Sequence, residues 1–240
     1  MLFFYLCNMI LITSLSPNHI NKNIQQKAID SWNKLGLKCY SFNHPSEISE
    51  LKYKGINIIE TTNTMEHTFG KPYVTISTMI QWAKLQDSQR FCFINSDIEL
   101  DYNPILLGKI LKHSKHSMII ANRNDYEKDK KKTNKYILGI DAFFMDKSML
   151  NIFPPSLFCM GQCFWDYNMP FTAIKNGINV INLQNKFAFH KRHNVQYSPK
   201  HWDITGKMFM HEHDIEWDNV GRINEVAFHF LELNTKKITL

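Results

Sequence analysis

From residue 9 to residue 121 the chain alternates between short apolar runs of strand length and stretches whose apolar residues recur at helical spacing. That alternation is the strongest constraint on the fold. Consecutive strand–helix–strand units close as a mostly parallel sheet with helices on both faces. Met9 to Leu15 reads as the first core strand. A turn, Ser16-Pro17-Asn18, follows, then a helix with the stripe Ile24, Ala28, Trp32 and Leu35, stopped by Gly36. Leu37 to Phe42 reads as a second strand, Ser46 as the cap of a short helix through Tyr53, and Ile56 to Ile59 as a third strand. Ile76, Met79, Ile80 and Ala83 mark a helix, and Phe91 to Ile94 a fourth strand. Asn103-Pro104 opens a helix through His113, and Ser117 to Ala121 is a fifth strand. The class is α/β with a Rossmann-like central sheet.

The second half reads differently. Gly139 to Met145 is an apolar strand carrying Asp141, Gln162 to Lys175 a helix, and Ile178 to Leu183 and Phe187 to Phe189 two short strands. The last forty residues are rich in His, Trp and Phe and show no clear period. With 240 residues, 44% hydrophobic and 13% aromatic, the chain can bury one large core, and no linker or repeat divides it. Of the formal charge of +6, +3 comes from the segment Glu127 to Lys135, where five lysines face two acids. This segment reads as a solvated loop. A nucleic-acid binder would spread its basic residues over a face, so no nucleic-acid partner is expected. Five irregularly spaced cysteines suit buried reduced thiols, hence a cytoplasmic location. The apolar N-terminus lacks a basic leader and a cleavage site, and Asn8 interrupts it. No transmembrane segment is expected, although a weak peripheral anchor stays open. The abundance of Lys, Asn and Ile suggests an AT-rich genome, viral, phage or bacterial, which would make the compartment a host cytoplasm if viral.

In open α/β sheets ligands gather at the carboxyl ends of the strands. Here those ends carry Thr13 and Ser14, Asn43, and the run Asn95-Ser96-Asp97-Ile98-Glu99. Asn, Ser and Asp are also ordinary turn residues. A strand that delivers carboxylates to its end can hold a divalent cation against phosphate oxygens. Asp97 is the foremost ligand candidate. Glu99, two residues on, is a second ligand, a water-mediated one, or a solvated acid.

The order of these pieces resembles the nucleotide-diphospho-sugar transferases, the glycosyltransferases of A-type (GT-A) fold. Ile12-Thr-Ser-Leu-Ser-Pro with Ala28-Ile-Asp-Ser-Trp32 looks like their first strand and helix, and Phe93-Ile-Asn-Ser-Asp-Ile-Glu99 like their Asp-x-Asp region. Gly139-Ile-Asp-Ala-Phe-Phe-Met145 resembles the central strand that follows. Gly161-Gln-Cys-Phe-Trp-Asp166 with His190 resembles the acceptor-side segment and a late metal-proximal histidine. The likeness spans roughly residues 9 to 195 and departs from the pattern at Asn95, which stands where the first acid would be.

The resemblance implies a single domain over 1–240, with a nucleotide-sugar-binding half at about 9–125 and an acceptor-binding half at about 136–240. It implies sugar transfer from a nucleotide-diphosphate donor to a hydroxyl of a carbohydrate, glycan or glycoprotein. Mn²⁺ or Mg²⁺ would sit on the diphosphate, held by Asp97, Glu99 and His190. Thr13, Ser14, Asn43, Asn95 and Ser96 would meet the nucleotide. Asp166 is either the base for the acceptor hydroxyl or a helix-dipole acid. Trp165 would supply a platform for a sugar ring. Asp141, costly to bury alone, would meet sugar hydroxyls. His193 reads as part of a basic surface turn, and His211-Glu-His-Asp214 is too tightly spaced for a helical metal pair. Two rivals remain. A nucleotidyltransferase would want a glycine-rich basic loop after the first strand, where this chain has Thr13-Ser-Leu-Ser-Pro-Asn18. A non-catalytic nucleotide-sugar binder is kept open by Asn95.

Overall fold

The first strand, β1 (Met9–Thr13), is buried along its whole length. Ile10 and Ile12 enter one apolar cluster and Met9 and Leu11 the other, so the strand has a core on each face. That is the environment in which a continuous apolar run is the stable choice. The computed structural model describes residues 9–17, 19, 22–193, 198–216 and 222–240. The readings for residues 1–8 and Asn18 lie outside the described residues.

After β1 come α1 (Lys22–Lys34), β2 (Lys38–Asn43), α2 (Pro45–Ile48), β3 (Asn57–Glu60), α3 (Glu66–Phe69) and α4 (Ile76–Lys84). Then follow β4 (Arg90–Ile94), β5 (Ile98–Leu100), α5 (Pro104–His113), β6 (Ser117–Tyr126) and β7 (Asn134–Asp146). The chain continues through a 3-10 segment (Lys147–Ile152), α6 (Trp165–Lys175), β8 (Asn179–Lys191), α7 (Pro199–His213), α8 (Ile223–Asn234) and β9 (Lys236–Ile238). The described strands form one sheet in the order β3-β2-β1-β4-β7-β6-β8-β5, with β9 also on β8. β1 is parallel to β2 and β4, and β6 is parallel to β8. The long β7 runs antiparallel between β4 and β6. The result is the mostly parallel, helix-flanked sheet of a GT-A-like domain.

Several sequence readings are corrected. The short helix α2 is capped by His44, whose ring accepts from the Ser46 amide, and Pro45 supplies its first turn. The helix expected from Gln162 begins at Trp165, because Gly161 and Phe164 both take left-handed backbone (φ +83° and +68°) and break any earlier turn. The two short strands at 178–189 are one strand, β8. Its first part pairs with β9 and its last part with β5. The lysine segment is the turn of the β6–β7 hairpin, and Lys130 within it is ion-paired to Glu99 at 2.6 Å. The described residues of the final forty form most of α7, together with α8 and β9.

One contact set matters for the site. Ile98–Leu100 is a strand, β5, where a solvated turn was one of the readings. The fully buried Trp32 of α1 donates its indole N–H to the Ile98 carbonyl at 2.9 Å, and Ser31 Oγ accepts from the Leu100 amide at 2.9 Å. Helix α1 thus fixes β5, and with it the turn that carries Asp97.

Candidate active site

β4 ends at Ile94, and the chain turns through Asn95, Ser96 and Asp97 before β5. Antiparallel pairing of β4 with β7 sets Ile94 opposite Ala142, so Asp141 falls beside Asn95. The Asn95 amide donates to the Asp141 carbonyl at 3.1 Å, and Asn95 Nδ2 donates to Asp141 Oδ1 at 2.6 Å. A carboxylate at position 95 would face Asp141 directly. The amide instead supplies a donor, which gives a physical reason for Asn rather than an acid at this position.

Asp97 sits among imidazoles. β5 pairs antiparallel with β8 so that Ile98 lies opposite His190. His193 follows the end of β8, and His19 comes from the β1–α1 connection. Asp97 Oδ2 lies 3.0 Å from His193 Nε2, 3.5 Å from His190 Nε2 and 3.8 Å from His19 Nε2. The His190 and His193 Nε2 atoms are 3.1 Å apart. On its other side, His190 Nδ1 meets Asp125 Oδ1 at 3.0 Å, which fixes the ring and turns Nε2 toward Asp97. Burial alone would raise the Asp97 carboxyl. Hydrogen bonds to His19, His190 and His193 override it and hold Asp97 well below the ordinary carboxylate range. Burial would lower His190, but Asp125 and Asp97 raise it to about 9.

The donor chemistry fits a divalent cation. His19, Asp97 and His193 each offer a ligand atom, all within 4.8 Å of one another. The carboxylate–imidazole arrangement of Asp125 behind His190 is the kind of support that metal-binding histidines receive. Imidazole donors favour a transition ion over Mg²⁺, and a mixed oxygen–nitrogen set suits Mn²⁺.

The cluster forms one end of a cleft of about 560 Å³, ample for part of a small-molecule ligand. Five carboxylates border it (Glu47, Glu50, Asp97, Asp141, Asp166) against Lys71 and Arg123. Arg123, from β6, lies 3.1 Å from Asp125 and 3.8 Å from Asp141, with its guanidinium over the Tyr136 ring. Asp141 is 3% exposed, and its Oδ2 has no hydrogen-bond partner among the described residues. Burial is the main reason its carboxyl is raised. Asp166, in the first turn of α6, is raised to about 8, first by burial and then by the charge of Asp141.

The structure thus brings Asp97, His190, Asp141, Asp166, Ser14, Asn95 and Ser96 to one cleft. Ser14 there donates to the Phe42 carbonyl, and Ser96 Oγ contacts the Gln25 side-chain amide. Trp165 borders the cleft but is 1% exposed and packs edge-on to Phe143, with ring centroids 5.1 Å apart, so almost none of its face is open. Three expected residues do not border it. Thr13 is fully buried. Asn43 is also buried and donates to the Leu15 carbonyl and Glu47. Glu99 is buried in β5 and accepts from Tyr126 and Lys130 instead.

Sequence reasoning missed His19, Arg123, Asp125 and Gln162 and set His193 aside. Two of these left a trace. Arg123 and Asp125 are charged residues two apart just past the apolar run Met118 to Ala121, and share a face if the strand continues through them. His19 lies in the connection after the first strand, where ligands collect.

No protein-family model matches the chain, and no curated protein matches it. Among solved structures it is similar to S. aureus TarS, residues 1–349, in complex with UDP-GlcNAc. The TM-score is 0.52 at 9% identity, over 95% of this chain and 73% of that one. At that identity the likeness concerns the fold, and the fold of this chain is GT-A-like.

Proposed function

We propose that this chain is a glycosyltransferase that moves a sugar from a nucleotide-diphosphate donor to an acceptor hydroxyl. The observation that carries this reading is the convergence of His19, His190 and His193 on Asp97 at a strand end, inside a cleft that also holds Asp166 with its carboxyl raised to about 8. The fold shared with a protein solved in complex with UDP-GlcNAc is consistent with a nucleotide-sugar donor.

Asp97, His193, His190 and His19 would hold a divalent cation, of which Mn²⁺ fits the donor set best. When bound, such a cation offsets the charge that builds on a departing diphosphate. A cleft rimmed by more carboxylates than fixed cations would otherwise repel that anion. Arg123 lies on the same face and can meet phosphate or sugar oxygens. Asp166 takes the proton of the acceptor hydroxyl as its oxygen attacks the sugar carbon. Asp141 Oδ2, buried and without a hydrogen-bond donor, is placed to accept from a sugar hydroxyl. The two halves of the domain share the work, because His190 and His193 lie in the second half and Asp97 in the first.

The test is turnover. The protein is incubated with UDP-, GDP-, ADP- and dTDP-sugars, and release of free nucleotide is followed with Mn²⁺ and with EDTA. Release from one donor that is lost in EDTA is expected. Binding of a donor without any release would make the chain a non-catalytic binder.

A further inference from the structure

Gln162 is a polar residue of the cleft to which neither the metal nor the proton transfer assigns a role. It is 6% exposed and borders the cleft, and neither Oε1 nor Nε2 makes a hydrogen bond among the described residues. The Tyr73 hydroxyl is close enough to feel the Gln162 amide, yet no hydrogen bond of ordinary geometry joins them. Buried polar groups are nearly always paired, and an amide with both ends unpaired calls for an explanation.

The local backbone gives a second, independent observation. Gln162 lies between Gly161 at φ +83° and Phe164 at φ +68°. A left-handed phenylalanine is uncommon, and such conformations concentrate where a site requires them. The segment is pinned on one side by the Met160 amide, which donates to the Val74 carbonyl at 3.3 Å, and by the Thr75–Cys159 bridge. On the other side the Phe164 ring packs on Trp202 at 4.7 Å. The Tyr73 ring lies about one van der Waals contact from where a Cβ on Gly161 would be. Tyr73 and Trp202 are both half-buried and both border the cleft.

From this arrangement we infer that Gln162, flanked by Tyr73 and Trp202, is a subsite for a neutral sugar ring of the acceptor. The inference rests on the glycosyltransferase reading. An amide is both donor and acceptor, which matches neighbouring hydroxyls or an acetamido group on a sugar. Aromatic faces beside a few placed polar groups are how a ring with apolar C–H faces and polar edges is held. The three side chains carry no charge at neutral pH, so a neutral sugar fits better than an acidic one. Gln162 and Asp166 border the same cleft, which is what assigns the ring to the acceptor that the proposed base would serve.

The experiment is a titration of the full chain with the methyl glycosides of glucose, galactose and N-acetylglucosamine, with methyl glucuronide as the acidic comparison. Ligand-observed NMR and tryptophan fluorescence are the readouts. At least one neutral glycoside binds saturably, methyl glucuronide binds less well, and Gln162→Leu weakens binding roughly tenfold, as loss of a hydrogen-bonded pair does. Gln162→Glu keeps the shape but removes the donor, and it weakens binding as well. It serves as the test if the leucine variant does not fold. Binding of no neutral glycoside, or equal binding by both variants and the wild type, overturns the subsite. Melting shifts with nucleotide sugars are measured in parallel. Glycoside binding without any such shift keeps the subsite and removes the transferase reading, and the reverse removes the subsite alone.

Discussion

The two sides of the cleft treat their polar groups in opposite ways. Around Asp97 the imidazoles of His19, His190 and His193 all turn to one carboxylate oxygen, and Asp97 and Asp125 are both held below the ordinary carboxylate range. At Asp141 and Gln162 polar atoms are buried without hydrogen-bond partners among the described residues, and the carboxyls of Asp141 and Asp166 are both pushed up. The first side is organised for charge before anything binds. The second carries unmet hydrogen-bonding capacity, which hydroxyl groups can fill. Low-dielectric surroundings make both arrangements consequential, since a paired group gains there and an unpaired one costs more.

The largest expected effect comes from breaking the charged side. Asp97→Ala removes the carboxylate on which three imidazoles converge. Metal assistance contributes several kcal/mol of transition-state stabilisation, so nucleotide release should fall by roughly 10³-fold or more. Steady-state turnover at saturating Mn²⁺ checks it, with circular dichroism confirming that the variant is folded.

The unpaired side predicts a trade-off. Asp166→Asn should lower transfer by about 10²–10⁴-fold, the usual contribution of a general base. It should also stabilise the protein. A carboxyl raised to about 8 in the folded state ionises earlier in the unfolded chain, near pH 4. The stability associated with it is therefore present below about pH 4 and is lost as pH rises through about 8. Melting curves at pH 5 and pH 9 should show the variant gaining on the wild type as pH rises. In the wild type, kcat/KM should climb as pH passes through about 8. A flat profile would remove Asp166 from the base role.

Much of the fold was legible because its central strands are apolar runs and its early helices have clean stripes. Trp32, Ile80 and Phe93 declare their burial by spacing alone. The later elements are less legible for physical reasons. In α7 the buried face includes Thr205, Gly206 and His213 beside Phe209, so no apolar period marks it. His213 is kept neutral there: burial and Lys175 lower it to about 4, and its Nε2 meets Asn168 Oδ1 at 2.6 Å. β8 reads as two strands because the polar stretch Gln184-Asn185-Lys186 lies between the parts that pair with β9 and β5. Asp97, Asp141, Asp166 and His190 could be picked out as isolated strand-end or helix-start residues. That His193 joins Asp97 could not, since 96 residues separate them and only the β5–β8 pairing brings them together.

Smaller effects sharpen the contrast. Asp125→Asn leaves the Asp97 cluster intact but weakens the hold on His190, and Mn²⁺ affinity should fall about 10- to 100-fold. Isothermal titration measures it. Glu99→Gln should cost about 1–3 kcal/mol of stability, because it leaves Tyr126 and Lys130 poorly paired. It should leave Mn²⁺ affinity unchanged, since Glu99 does not border the cleft and pairs with Tyr126 and Lys130 instead. Denaturant unfolding and the same titration separate the two readouts. A large loss of metal binding in Glu99→Gln would erase the distinction between the two acids of the Asp97–Glu99 pair.

The most direct test of the central claim is a thermal-shift matrix of nucleotide sugars with and without Mn²⁺. Ligands that bind the folded state raise its melting temperature by mass action. If the charged side holds a cation against a donor diphosphate, one donor together with Mn²⁺ should raise the melting temperature by more than the sum of the two separate shifts. The excess should vanish in Asp97→Ala. No shift with any donor, or donor and Mn²⁺ shifts that simply add, would contradict the account.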